Sequence, residues 1–112
     1  MKIPGAERAV LAPAKVREYL LSREHPVGSA KARFFAKLGF NEDNWTALRD
    51  KLHRFASQDA ELGAATRFGQ KYLVRGTIAG PEGHSADAIT VWIILAGEDF
   101  PRFVTAYPGA NQ

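Results

Sequence analysis

Cysteine is absent from the 112 residues, which excludes disulfides, thiolate nucleophiles and sulfur-based zinc sites together. Histidine is scarce. His25, His53 and His84 show no short metal-ligand spacing, and neither an H-E-x-x-H nor an EF-hand pattern occurs, so no metal and no cofactor is expected. No apolar run approaches the length that spans a bilayer, and no membrane association is expected. Nothing near the start reads as a signal peptide, because Lys2, Pro4, Gly5, Glu7 and Arg8 interrupt any apolar core. The expected location is cytoplasmic. Internal repeats and low-complexity tracts are missing too, so the fold has to come from ordinary helix and strand patterning.

What remains is the composition of a globular protein, with 46% hydrophobic and 24% charged residues. The length suits one domain over residues 1–112, enough to bury a core between two layers. A formal charge of +3 leans toward an anionic partner such as nucleic acid.

Residues Ile3 to Leu11 read as an extended lead-in, with Val10 and Leu11 reaching the core. A first helix is expected from about Pro13 to Ser22, proline suiting a first turn, with Val16, Tyr19 and Leu20 on the buried side. A second runs from Ala30 to Leu38, buries Ala32, Phe35 and Leu38, and closes at Gly39. In a third, from about Glu42 to Ala56, Trp45, Leu48, Leu52 and Phe55 form the clearest apolar stripe. Arg49, His53 and Arg54 lie on other faces and read as solvated. The helical part thus covers about 12–57, and the polar, alanine-rich 58–68 reads as a linker or a frayed helical extension.

From Gly69 the period becomes two. Tyr72, Val74, Gly76 and Ile78 alternate with Lys71, Leu73, Arg75 and Thr77, a turn follows at Gly80-Pro81-Glu82-Gly83, and Ala88 to Leu95 is apolar on both sets, as a central strand should be. A last strand, Arg102 to Tyr107, sets Phe103, Thr105 and Tyr107 against Arg102, Val104 and Ala106. The prediction is an α+β domain: helices on one face of a three-stranded antiparallel meander over about 69–108. The other face would carry Thr90 and Trp92 or their alternates with Thr105, Tyr107, Arg75 and Arg102. Hydroxyls, aromatic rings and guanidinium groups suit RNA, but burial of Trp92 in the core explains it at least as well.

The stretch from His25 to Phe40 concentrates the chemistry. Pro26 disfavours helix at His25, Gly28 and Ser29 can cap, and the following helix turns Lys31, Arg33 and Lys37 outward beside a histidine and backbone N–H groups. A phosphate site and a solvated helix face beside a turn histidine both fit this spacing.

The order of elements, the His25 and Lys31 region, and the terminal Val104-Thr105-Ala106-Tyr107-Pro108 resemble the barnase, EndoU, colicin D and RelE superfamily of small RNase toxins. Pro4-Gly5-Ala6-Glu7-Arg8-Ala9-Val10, Glu24-His25-Pro26-Val27-Gly28, Lys31-Ala32-Arg33-Phe34-Phe35 and Gly97-Glu98-Asp99-Phe100-Pro101-Arg102 resemble, more closely, a bacterial domain family catalogued without assigned function, over about residues 3 to 107. The resemblance implies metal-independent cleavage of RNA by a toxin of a toxin–antitoxin or polymorphic toxin system. It implies acid or base work for His25, phosphate stabilisation by Lys31 and Arg33, and phosphate or leaving-group contacts by Thr105 and Tyr107, with Arg75 and Arg102 as further RNA contacts. The expected partners are RNA and a cognate antitoxin or immunity protein of acidic character. A toxin module would also act after delivery into a target-cell cytoplasm. Where this family commonly has histidine directly before Lys-Ala-Arg, this chain has Ala30, which implies a missing acid or base and a slow or inactive enzyme. The competing reading is a non-catalytic module that binds nucleic acid or protein, of antitoxin or immunity type.

Overall fold

The computed structural model describes residues 1–21 and 29–109. The architecture is α+β. A π-helical turn, Lys15–Leu20, and two helices, α1 (Ser29–Lys37) and α2 (Trp45–Phe55), precede the strands β1 (Glu61–Thr66), β2 (Gly69–Ala79), β3 (Ser85–Leu95) and β4 (Arg102–Pro108). The strands form one antiparallel meander in the order β1-β2-β3-β4.

The meander has four strands, not three. Residues 58–68, expected as a linker, contain β1, paired to β2 around a bulge between Leu62 and Ala65. Its side chains are almost all exposed, so it is held to the sheet chiefly by backbone hydrogen bonds. The β2–β3 pairing is the backbone of the fold, running from Gly69↔Leu95 to Ala79↔Ser85. One face of this hairpin carries Tyr72, Val74 and Ile78 with Ala88, Thr90 and Trp92, all buried. Thr90 and Trp92 therefore belong to the helix-covered face, where the Trp92 indole N–H donates to Thr90 Oγ1 over 2.7 Å and its ring meets Phe103 edge-on at 5.3 Å.

Each helix buries its apolar side on that face. In α1, Ala32 and Phe35 are buried, with Leu38 just past its end. Gly39, at φ 96, then closes it: the Phe40 N–H bonds the Phe35 carbonyl and the Gly39 N–H the Ala36 carbonyl, the paired bonds of a Schellman ending. Helix α2 starts at Trp45 rather than Glu42, because Asn41 Oδ1 accepts the N–H groups of Asp43 and Asn44 and holds residues 41–44 as a turn. Leu48, Leu52 and Phe55 are buried, each contributing about 1.5–3 kcal/mol relative to exposure. Trp45 is half-buried, with the guanidinium groups of Arg17 and Arg49 at 5.4 and 5.2 Å from its ring. Gly76 lets α2 approach the sheet: a Cβ there would lie 3.1 Å from the Phe55 ring.

In the lead-in, Leu11 and Ile3 are buried while Val10, expected inside, is 37% exposed. Its backbone is what counts: Val10 N–H bonds the Pro101 carbonyl and its own carbonyl accepts the Phe103 N–H, each at 2.9 Å, pinning the lead-in beside β4. The strict alternation expected in β4 also fails. Phe103 pairs with Trp92 and Thr105 with Val91, leaving Val104 as a bulge, so Phe103 and Ala106 both enter the core.

Candidate functional site

Three elements converge on one tyrosine. The turn Lys15–Leu20 is wider than an α-helix, its Val16 carbonyl accepting the Leu21 N–H five residues on, at 3.0 Å. Val16 and Leu20 anchor it in the core, and Tyr19 is left half-buried on its flank. From α1, Lys31 Nζ donates to the Tyr19 hydroxyl over 2.8 Å and stands 5.1 Å from the ring centre. Lys15 Nζ lies 5.8 Å from the same ring. From β4, next to the bulge, Thr105 places its hydroxyl beside the phenol.

This setting holds the Tyr19 phenol below its ordinary pKa: the hydrogen bond from Lys31 is the main cause, Thr105 and the charges of Lys31 and Lys15 add to it, and partial burial opposes it. Thr105 Oγ1 is buried and makes no hydrogen bond of good geometry among the described residues. A buried hydroxyl whose hydrogen bonding is this weak gains from a stronger acceptor. That acceptor is next to it, since a phenolate at Tyr19 would accept from Thr105 and Lys31 together. The arrangement thus suits a tyrosine that gives up its proton readily beside a fixed cation.

Of the residues expected from sequence, Lys31 and Thr105 come together here. His25 lies outside the described residues. Ala30 falls in the first turn of α1, one residue before Lys31. Arg33 is exposed on α1 and lines a neighbouring groove with Lys37 and His84. Tyr107 pairs across from Ile89, two residues along β4 from Thr105. Arg75 and Arg102 are engaged by carboxylates: Arg75 Nε bonds Glu61 at 3.2 Å, and Arg102 clasps Glu98 through two 2.8 Å hydrogen bonds. His53 donates Nε2–H to the Ala9 carbonyl over 3.0 Å, tying α2 to the lead-in.

Tyr19 was missed by sequence reasoning, which put it on a buried stripe with Val16 and Leu20. A phenol set between Lys15 and the basic start of α1 was the one available hint.

Fold and site together define a small α+β domain, its helices on one face of an antiparallel meander, with a cation-flanked tyrosine where the helical layer meets the edge strand. The chain belongs to the family described as Domain of unknown function (DUF6883), which matches residues 2–110. No curated protein matches it. Among solved structures it is similar to a chain of the contact-dependent growth inhibition toxin - immunity protein complex from Klebsiella pneumoniae 342, with TM-score 0.69 and 17% identity over 89% of this chain and 99% of that one. At that identity the likeness is one of fold. No helix among the described residues is long and apolar enough to cross a membrane.

Proposed function

We propose that this chain is the RNA-cleaving toxin domain of a bacterial toxin–immunity pair, acting without a metal at the Tyr19–Lys31–Thr105 site. The observation that carries the reading is the 2.8 Å contact of Lys31 with a tyrosine whose pKa is lowered, set against the buried Thr105 hydroxyl. Support also comes from the shared fold with a chain of a toxin–immunity complex and from the +3 charge, which suits RNA and an acidic cognate protein better than it suits an inhibitor of a basic toxin.

In the reaction the ribose 2′-hydroxyl attacks the adjacent phosphate in line, a base takes its proton, and an acid protonates the departing 5′ oxygen. Lys31 would stabilise the charged phosphorane, and Tyr19, made more acidic by Lys31, would supply the leaving group's proton. Thr105 acts behind Tyr19 as a positioning residue, donating to its oxygen as negative charge develops. His25 is the proposed base, and Ala30 marks the position where a second acid or base is missing, which makes this chain slow. Arg33 would bind phosphate beside the centre, while Arg75, Arg102 and Tyr107 would contact RNA on the sheet.

The test is digestion of tRNA, rRNA and mRNA in a chelator, by this chain and by Ala30→His, with product ends examined for 2′,3′-cyclic phosphate. Cyclic ends are expected, with Lys31→Met or Tyr19→Phe slowing their appearance by about 10²–10⁴-fold. If folded, RNA-binding Ala30→His cuts none of the three, the binding-module reading replaces this one.

A further inference from the structure

Between α1 and the β2–β3 turn lies a groove of about 580 Å³, in the size range of about 300–1,000 Å³ usual for small-ligand sites. Its cations are Arg33 and Lys37, four residues apart on the exposed side of α1, and neither has an acidic partner among the described residues. Facing the two cations across the groove are His84 and Ser85, presented where the Gly80 N–H closes the turn on the His84 carbonyl. The wall between is apolar: Phe34, half-buried against the edge of Phe35, and Pro108 at the end of β4.

Two unpaired cations, a histidine, a hydroxyl and one aromatic ring in a concave space suit an anion joined to a flat apolar body. A nucleotide has that composition: phosphate for Arg33, Lys37 and His84, and a base for Phe34. The groove also adjoins the Tyr19 site along α1, where Lys31 and the groove-lining Phe34 are three residues apart and so neighbours on the helix surface, about 4.5 Å apart along its axis. A single strand of RNA lying along α1 would meet both.

We infer that this groove is a subsite for the nucleotide flanking the scissile phosphate, so the chain recognises its RNA as a single strand along α1. The inference rests on the ribonuclease reading for what occupies the neighbouring site, but the groove's own residues can be followed separately.

The experiment uses non-cleavable 2′-O-methyl di- and trinucleotides with the full chain, reading affinity and amide chemical shifts. The dinucleotide is expected to perturb Tyr19, Lys31 and Thr105. A third nucleotide should perturb Phe34, Lys37 and His84 as well and tighten binding about tenfold, one stacked base being worth about 1–3 kcal/mol. In Arg33→Ala/Lys37→Ala that gain should fall below twofold, and the log–log salt slope of trinucleotide binding should lose about 0.7 per phosphate contact removed. Shifts at Tyr19 and Lys31 with none in the groove, whatever the length, would overturn the subsite and leave the ribonuclease reading standing. Shifts in the groove alone would retain it as a nucleotide site and remove the catalytic reading. A glutamate-rich peptide that shifts the groove residues when nucleotides do not would make it a protein contact and overturn the inference.

Discussion

The Lys31 ammonium donates to the Tyr19 oxygen over 2.8 Å and lies 5.1 Å from the centre of the same ring, so one cation interacts with both the phenol oxygen and the π system. Because the cation favours the charged phenolate, removing it has a defined sign. Lys31→Met should move the Tyr19 transition to higher pH, and Thr105→Val should move it the same way by less, the order in which the two act on the phenol. Ultraviolet absorbance of the phenolate, assigned with Tyr19→Phe, measures this. A transition unmoved in Lys31→Met would break the proposed coupling.

Ala30 stands one residue before Lys31 in the first turn of α1. An imidazole there, with an unperturbed pKa of about 6.5, exchanges protons near neutral pH as alanine cannot. Ala30→His is expected to raise metal-independent RNA cleavage by about 10²–10⁴-fold with the fold unchanged, and adding His25→Ala should lower it again if both serve one centre. Rates compared in a chelator, with circular dichroism as the control for folding, decide the point.

The core has its own polar pair. Trp92 Nε1 donates to Thr90 Oγ1 with both residues fully buried. Thr90→Val would strand the indole N–H and should cost about 1–3 kcal/mol. Trp92→Phe removes indole volume and should cost a similar amount. In the double variant no donor is stranded, so denaturant unfolding should give a loss smaller than the sum of the two single losses.

Acid should loosen the loop before β4. Asp99 and Glu98 are held below the ordinary carboxylate range, chiefly by hydrogen bonds from Arg8 and Arg102 respectively. A carboxylate with a depressed folded pKa stabilises the fold above its unfolded value of about 4 and loses that contribution as pH falls through the folded value. Below pH of about 4, exchange of the Val10 and Phe103 amides, corrected for its intrinsic pH dependence, should therefore accelerate. Asp99→Asn with Glu98→Gln should abolish this acid step.

Much of the fold was legible because it follows from local periodicity. Leu48, Leu52 and Phe55 recur at helical spacing and are buried as that spacing requires, and the change to alternation at Gly69 marks the start of β2. Strand β1 was illegible for the same reason: Glu61-Leu62-Gly63-Ala64-Ala65-Thr66 has almost no apolar face to leave a pattern, and its place depends on backbone bonds to β2. The bulge at Val104 was equally hidden, since one extra residue in a strand changes no composition but reverses which side chains enter the core.

The sequence by itself determined the patterned secondary elements (the helices and the strands other than β1), the absence of sulfur chemistry, the basic balance and the cationic face of α1, because each is a property of neighbouring residues or of the whole chain's composition. Only the tertiary structure decided that Lys31 meets Tyr19 and that Thr105 stands beside it, while Arg75 and Arg102 are taken up by Glu61 and Glu98. These are contacts between elements. They depend on how a π-helical turn, a helix and an edge strand close on one core, and no spacing along the chain encodes that geometry.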